Sequence, residues 1–210
     1  RGLVGSEMCI RDRLGSMITG QFNNQVFTTL QYNENLESNN TDFNFTNTIS
    51  NQLSINSLNL DKLYVLTSNR SASASEMMIN SLKSYINVVQ IGDRTVGKSQ
   101  ASQLIYDSPN LGRNNANPNH TYAMLPLIAI TVNKDNEQIP SSGIIPTITL
   151  VERPGNYGTI GSPDEPLLEA AIADIQGSNR QATAWESQSP ILESNFINCL
   201  ETIMYVEAAD

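Results

Sequence analysis

At 210 residues and 39% hydrophobic side chains, the chain is long enough to bury one core and too apolar to be intrinsically disordered. Its formal net charge of −9, with twelve scattered Lys and Arg, excludes the basic stripe that a nucleic-acid or anionic membrane surface needs. No apolar run approaches the about 18 residues of a spanning helix. One histidine, and two cysteines (Cys9 and Cys199) in no Cys-x-x-Cys pattern, give no basis for a metal site, a bound cofactor or an inferred disulfide.

Taken in order, residues 1–13, with Glu7-Met-Cys-Ile-Arg-Asp12, read as translated adapter sequence rather than evolved protein and are set aside from fold reasoning. Residues 14–19 look like the tail of a helix, with Gly20 as its stop. Residues 26–32 have strand character. From 33 to 59 the chain is rich in Asn, Ser and Thr, with isolated Phe43, Phe45, Ile49, Leu53 and Ile55. That pattern predicts a long surface excursion with some helix, pinned to the core by its apolar residues.

Residues 63–67 are a short apolar, β-branched run of strand length, broken by Asn69 and Arg70. Met78, Ile79, Leu82 and Tyr85 then recur at steps of three and four, the stripe of one buried helix. Residues 88–91 are a second strand, stopped by Gly92. Two strands joined through a helix should lie parallel with a right-handed crossover, so both carboxyl ends open at one edge. Ser73, which opens the helix, and Lys98, in the loop after the second strand, therefore share that edge.

A serine hydroxyl is a weak nucleophile until a base takes its proton, and a neutral lysine can be that base. The loop carrying Lys98 holds no carboxylate after Asp93, and the helix amino end adds positive potential; both favour the uncharged amine. The same helix end offers the Ala74 N–H to a developing oxyanion. Ser73-Ala-Ser-Glu76 equally fits a capping box that closes the first helical turn, and the two roles are compatible.

Further on, residues 104–106 read as a strand and 107–119 as a turn-rich loop ending at His120. His120 follows Asn-Pro-Asn in an exposed setting with no acid nearby in sequence to orient it, so a Ser-His pairing is disfavoured. Residues 123–132 predict one long strand or a strand pair, and 133–136 a hairpin-like turn. Gly155, Gly158 and Gly161 are turn glycines. Ser162-Pro-Asp-Glu165 opens a helix with Pro166 in its first turn, Leu168, Ala171, Ile172 and Ile175 on one face, and Gly177 as its end. Residues 177–210 read as a polar linker and an apolar appendage, leaving 14–176 as the core.

Ser71-Ala-Ser-Ala-Ser-Glu76, then Gly92, then Thr95-Val-Gly-Lys98, resembles the C-terminal processing (tail-specific) serine peptidases, which carry a Ser-Ala-Ser-Glu turn and a Thr-Phe-Gly-Lys loop. In that family the nucleophile is the first serine of the turn and the base the lysine 25 positions later; 98 − 73 = 25, which lands on Ser73 and Lys98. Gly143-Ile-Ile-Pro146 resembles the family's Gly-x-x-Pro-Asp segment, with Thr147 where the acid stands.

The resemblance implies an α/β fold, a mixed sheet flanked by helices in a crotonase/Clp-protease-like peptidase core. It also implies peptide-bond hydrolysis through a Ser-Lys dyad without metal or cofactor, on a polypeptide substrate, in the periplasm of the bacterial envelope, and it leaves open a homo-oligomer. Glu76 is implied as a lysine-positioning acid. The family's Gln four residues after the lysine is here Ser102, with Gln103 one place later, so these are candidate accessory residues. The family's Asp-Leu-Arg-x-Asn-x-Gly-Gly oxyanion stretch and its PDZ module have no counterpart, so the chain by itself is expected to be poorly active, since one oxyanion donor is worth about 10² to 10³ in turnover. The competing expectation is a non-catalytic ligand- or peptide-binding module on the same scaffold.

Overall fold

The computed structural model describes residues 13–49, 53–153 and 155–177, together with the backbone of Met204–Tyr205. The adapter-like stretch apart from Arg13, both cysteines, and the linker and appendage apart from Gly177 and that dipeptide lie outside the described residues.

Two sheets enclose one helix. The first has five strands in the order β12-β7-β10-β1-β2, where β1 is Val26–Tyr32, β2 Thr41–Asn44, β7 Gln100–Ser102, β10 Leu127–Val132 and β12 Met204–Tyr205. Its pairs are antiparallel except β12 with β7. The second has three parallel strands in the order β11-β6-β5, with β5 Lys62–Thr67, β6 Asn87–Gly92 and β11 Ile148–Thr149. Short ribbons, β3 Thr48–Ile49 with β4 Leu53–Ser54 and β8 Ile105–Tyr106 with β9 Ala123–Met124, lie outside them. The helices are α1 Gly15–Ile18, α2 Ala74–Leu82 and α3 Pro166–Ile175.

Helix α2 lies between the sheets, touching β1 and β10 on one side and β6 on the other. Met77 and Leu82 join Ile18, Phe27, Phe45 and Ile86 in one core, with Leu63 and Val88 packed against it. The opposite face of the parallel sheet packs Tyr64, Val89 and Ile91 on Leu167, Ala170 and Ala171 of α3. A parallel sheet covered on both faces needs apolar side chains at consecutive positions, which is why β5 and β6 read as runs rather than alternations. The predicted crossover, parallel pairing and common carboxyl edge are all present.

Several boundaries differ from expectation. Gly20 does not stop a helix in a left-handed turn; it begins a 3-10 turn and lies so close to Ser57 that a Cβ would collide with it. The 33–59 excursion is less loop-like than its composition suggests, because β2 pairs with β1 and Phe45 is buried against Phe27 and Tyr85 at ring distances of 5.1 Å each. Residues 123–132 form two strands, one of the two expected readings, but they lie in different sheets, separated by Leu125 and Pro126. β7 carries no strand signal of its own, since Gln-Ala-Ser has no apolar alternation and its strand state comes from pairing with β10. On α3 the buried face is Leu167, Ala170 and Ala171, one position off the predicted stripe, and Ile175 is 64% exposed. Glu165, not Ser162, caps it, accepting from the Leu167 and Leu168 N–H groups.

Candidate active site

Ser73 lies between the carboxyl end of β5 and the first turn of α2, with φ 57° and ψ −115°. A non-glycine residue in that region costs of order 1–3 kcal/mol, and such strain persists only where neighbours over-determine it. A sharp, strained strand-to-helix turn is also how nucleophilic serines are presented in other α/β hydrolases. Ser73 is 2% exposed. With Glu76 it takes the capping-box geometry, but only the Ser73 N–H to Glu76 half is a hydrogen bond, and the Ser73 hydroxyl is buried with no hydrogen-bond partner among the described residues.

Glu76, fully buried, over-determines this turn. Its Oε2 accepts the Ser73 N–H at 3.0 Å and the Lys98 N–H at 2.8 Å. Its Oε1 accepts the Gly97 N–H at 2.6 Å and the Thr95 hydroxyl. Four donors match the about four acceptor sites of a carboxylate. Because one oxygen atom holds both the Ser73 and the Lys98 amides, those two nitrogens are no further apart than the two hydrogen bonds laid end to end. The Val96 N–H adds a strut to the Ser71 carbonyl at 3.0 Å. Lys98 itself is 5% exposed.

A third segment clamps the lysine loop from behind. The Thr95 N–H donates to Ile144 O at 3.2 Å, and Thr95 Oγ1 accepts the Ile144 N–H at 2.8 Å. Gly97 (φ +91°) and Gly143 (φ +85°) sit in left-handed conformations where the loops touch. A Cβ on Gly97 would strike the backbone of Ser141 and Gly143, and one on Gly143 would strike Thr95 O. Beyond Lys98, Ser99 O accepts the Thr131 N–H at 2.9 Å and Ser99 Oγ accepts Gln138 Nε2 at 2.6 Å, tying the loop to β10 and the hairpin after it.

The structure thus brings Ser73, Ala74, Glu76 and the backbone of Lys98 to one edge. Ala74, the first residue of α2, is buried, and its N–H belongs to the turn whose amides have no intrahelical partner. Ser102 is buried at the end of β7, and Gln103 follows it, its N–H on Pro126 O at 3.3 Å. Thr147, which stands where the family has an acid, accepts the Gln90 N–H of β6 on its Oγ1 at 3.2 Å, a bond a charged acid is not needed to make.

The expectation for His120 needs correcting. An acid does orient it, for Nε2 lies 3.1 Å from Asp107 Oδ2 while Nδ1 accepts the Tyr122 N–H at 3.2 Å. Asp107 is thirteen residues away in sequence and reaches His120 only because β8 and β9 pair. Sequence reasoning quoted Thr95 without a role and did not single out Ile144, whose backbone partners the Thr95 side chain. Among the described residues no group of three or more His, Cys, Asp or Glu is placed to hold a metal ion. No helix among them is long and apolar enough to cross a membrane.

Two parallel strands, a crossover helix opened by a strained serine, and a lysine loop stitched to the same edge define a mixed α/β peptidase-type core. Residues 15–150 match the model of Peptidase family S41, and the chain belongs to that family, whose members are serine-type peptidases. A solved Bacteroides fragilis protein assigned to the S41 proteases superposes with a TM-score of 0.67 at 27% identity, over 81% of this chain and 41% of its own. The chain therefore spans about two-fifths of that protein's length. Weaker matches are a photosystem II D1 C-terminal processing protease (TM-score 0.48, 17% identity, 74% of this chain and 34% of its own) and a Streptococcus agalactiae lipoprotein (0.47, 15%, 78% and 47%). No curated protein is significantly similar in sequence.

Proposed function

We propose that this chain carries the nucleophile and base of a serine endopeptidase acting through a Ser73-Lys98 dyad on a polypeptide substrate. Ser73 Oγ attacks the scissile carbonyl carbon while Lys98 Nζ takes the hydroxyl proton. The amine then returns that proton to the leaving nitrogen, and water, deprotonated in turn, releases the acyl-enzyme. The Ala74 N–H, at the positive end of α2, is one donor to the developing oxyanion. Glu76 acts through the backbone, holding the nucleophile's turn and the base's loop in one frame.

The observation that carries this reading is the single Glu76 oxygen shared by the Ser73 and Lys98 amides. Burial of both residues supports it, since a desolvated lysine gives up its charge more readily. A periplasmic setting rests on the family resemblance and belongs to the same proposal.

The test is hydrolysis of an unfolded protein by the full-length protein that contains this chain. Ser73→Ala and Lys98→Ala should each lower kcat by about 10³ or more with the fold intact by circular dichroism. Unchanged hydrolysis in either variant overturns the dyad, and loss of hydrolysis without loss of peptide binding separates catalysis from a binding-module role.

A further inference from the structure

Thr95 stands where three segments meet. Its hydroxyl donates to Glu76 Oε1 on α2 and accepts the Ile144 N–H, and its own N–H donates to Ile144 O. Thr95 is 4% exposed, so no water substitutes cheaply for these bonds. Its side chain links the Glu76 carboxylate to the 140–144 loop, and that loop in turn backs Gly97, the residue before Lys98. We propose that Thr95 is a positioning residue that keeps Lys98 buried and uncharged, by supplying one of the four hydrogen-bond donors that offset the Glu76 charge and by locking the loop on which Lys98 sits.

The argument is electrostatic and steric at once. Removing the hydroxyl leaves Oε1 with one donor fewer and turns more uncompensated negative potential toward Lys98, which favours the ammonium. It also frees the loop, so that Lys98 gains water, which favours the ammonium again. Both effects raise the lysine's pKa. Among the described residues of the neighbouring elements, α2 contributes only Glu76 and β12, beside β7, only Tyr205, while β6, β7, β10 and residues 140–144 carry no ionisable side chain. The loop's own Asp93 directs its carboxylate to the Arg94 N–H at 2.7 Å, and the Arg94 stem lies against Gly143. Arg70, in the turn before Ser73, is exposed.

The proposal rests on Lys98 acting as the base, yet its test does not depend on hydrolysis. The chain has four lysines, at 62, 83, 98 and 134, few enough to assign in a ¹³Cε-lysine NMR titration of the protein. In Thr95→Val, which keeps the shape and loses the hydroxyl, the Lys98 midpoint should rise by about one pH unit, the equivalent of one weakened charge-assisted bond. Thr95→Ser should keep the midpoint of the unsubstituted protein.

In the full-length enzyme the rising limb of kcat against pH should move to higher pH by the same amount in Thr95→Val, with KM unchanged. An unmoved Lys98 midpoint in Thr95→Val overturns the proposal, as does an equal shift in Thr95→Ser. Should Thr95→Val not fold, Thr95→Ala removes the same hydroxyl, and an unshifted midpoint there overturns the proposal equally. Failure of the dyad shows separately, as hydrolysis that survives Ser73→Ala.

Discussion

Two regions of this molecule pair a carboxylate with a basic side chain or its loop, and they are built in opposite ways. At the Ser73 edge the acid is fully buried, accepts from four donors on two segments, and imposes a strained backbone on the serine. In the β8–β9 ribbon, Asp107 and His120 meet at 3.1 Å with side chains 61% and 30% exposed. By residue type the second region looks more like a catalytic acid-imidazole pair, since an acid orients an imidazole whose other nitrogen is fixed by the Tyr122 amide. Burial and shared anchoring set the two apart: a solvated pair holds its geometry weakly and is worth little, whereas a buried acid with every acceptor filled fixes whatever it touches.

That contrast can be broken most forcefully at Glu76. Glu76→Gln exchanges an acceptor for a donor against inward-pointing N–H groups, and unfolding by denaturant should show a loss of about 3–5 kcal/mol. A loss under 1 kcal/mol would mean that the carboxylate does not organise this edge. Next is Gly143→Ala, which places a Cβ into the Thr95 carbonyl at a left-handed φ; about 2–3 kcal/mol should go, with Lys98 more reactive to an amine-modifying reagent.

The ribbon should respond far less. His120→Ala should leave hydrolysis by the full-length protein within twofold and the melting temperature nearly unchanged; a tenfold drop in kcat would reverse the ranking of the two regions. The smallest effect concerns pH. Hydrogen bonds from Asn117 and then His120 hold the Asp107 carboxyl below its usual value. A depressed carboxylate pKa contributes stability above its unfolded value, about 3.9, that is lost as pH falls through the folded one. In His120→Ala the Asp107 midpoint, followed by carboxyl NMR, should move up toward the ordinary range.

Much of the site was readable from the chain before folding. The β5-turn-α2-β6 unit follows from local periodicity, and parallel pairing then forces both carboxyl ends to one edge. The clamp was not readable. Nothing in a linear pattern says that Thr95 will meet Ile144, 49 residues on, or that Glu76 will serve a loop more than twenty residues away. The α3 face was misread because Leu167 and Leu168 are adjacent and equally apolar, so only the docking surface of Tyr64, Val89 and Ile91 chooses between them. β7 was missed for a related reason: its strand state is conferred by β10.

By itself, the amino-acid sequence determined which segments are strands and helix around Ser73, the family, and the separation between serine and lysine, because these depend on short-range periodicity and motif spacing. Tertiary structure alone decided that a single buried carboxylate joins the serine turn to the lysine loop, that the 140–144 segment backs them, and that His120 has an acid of its own. Those outcomes rest on contacts between residues distant in the chain, where the free energy of burying and satisfying polar groups, rather than local preference, selects the partners.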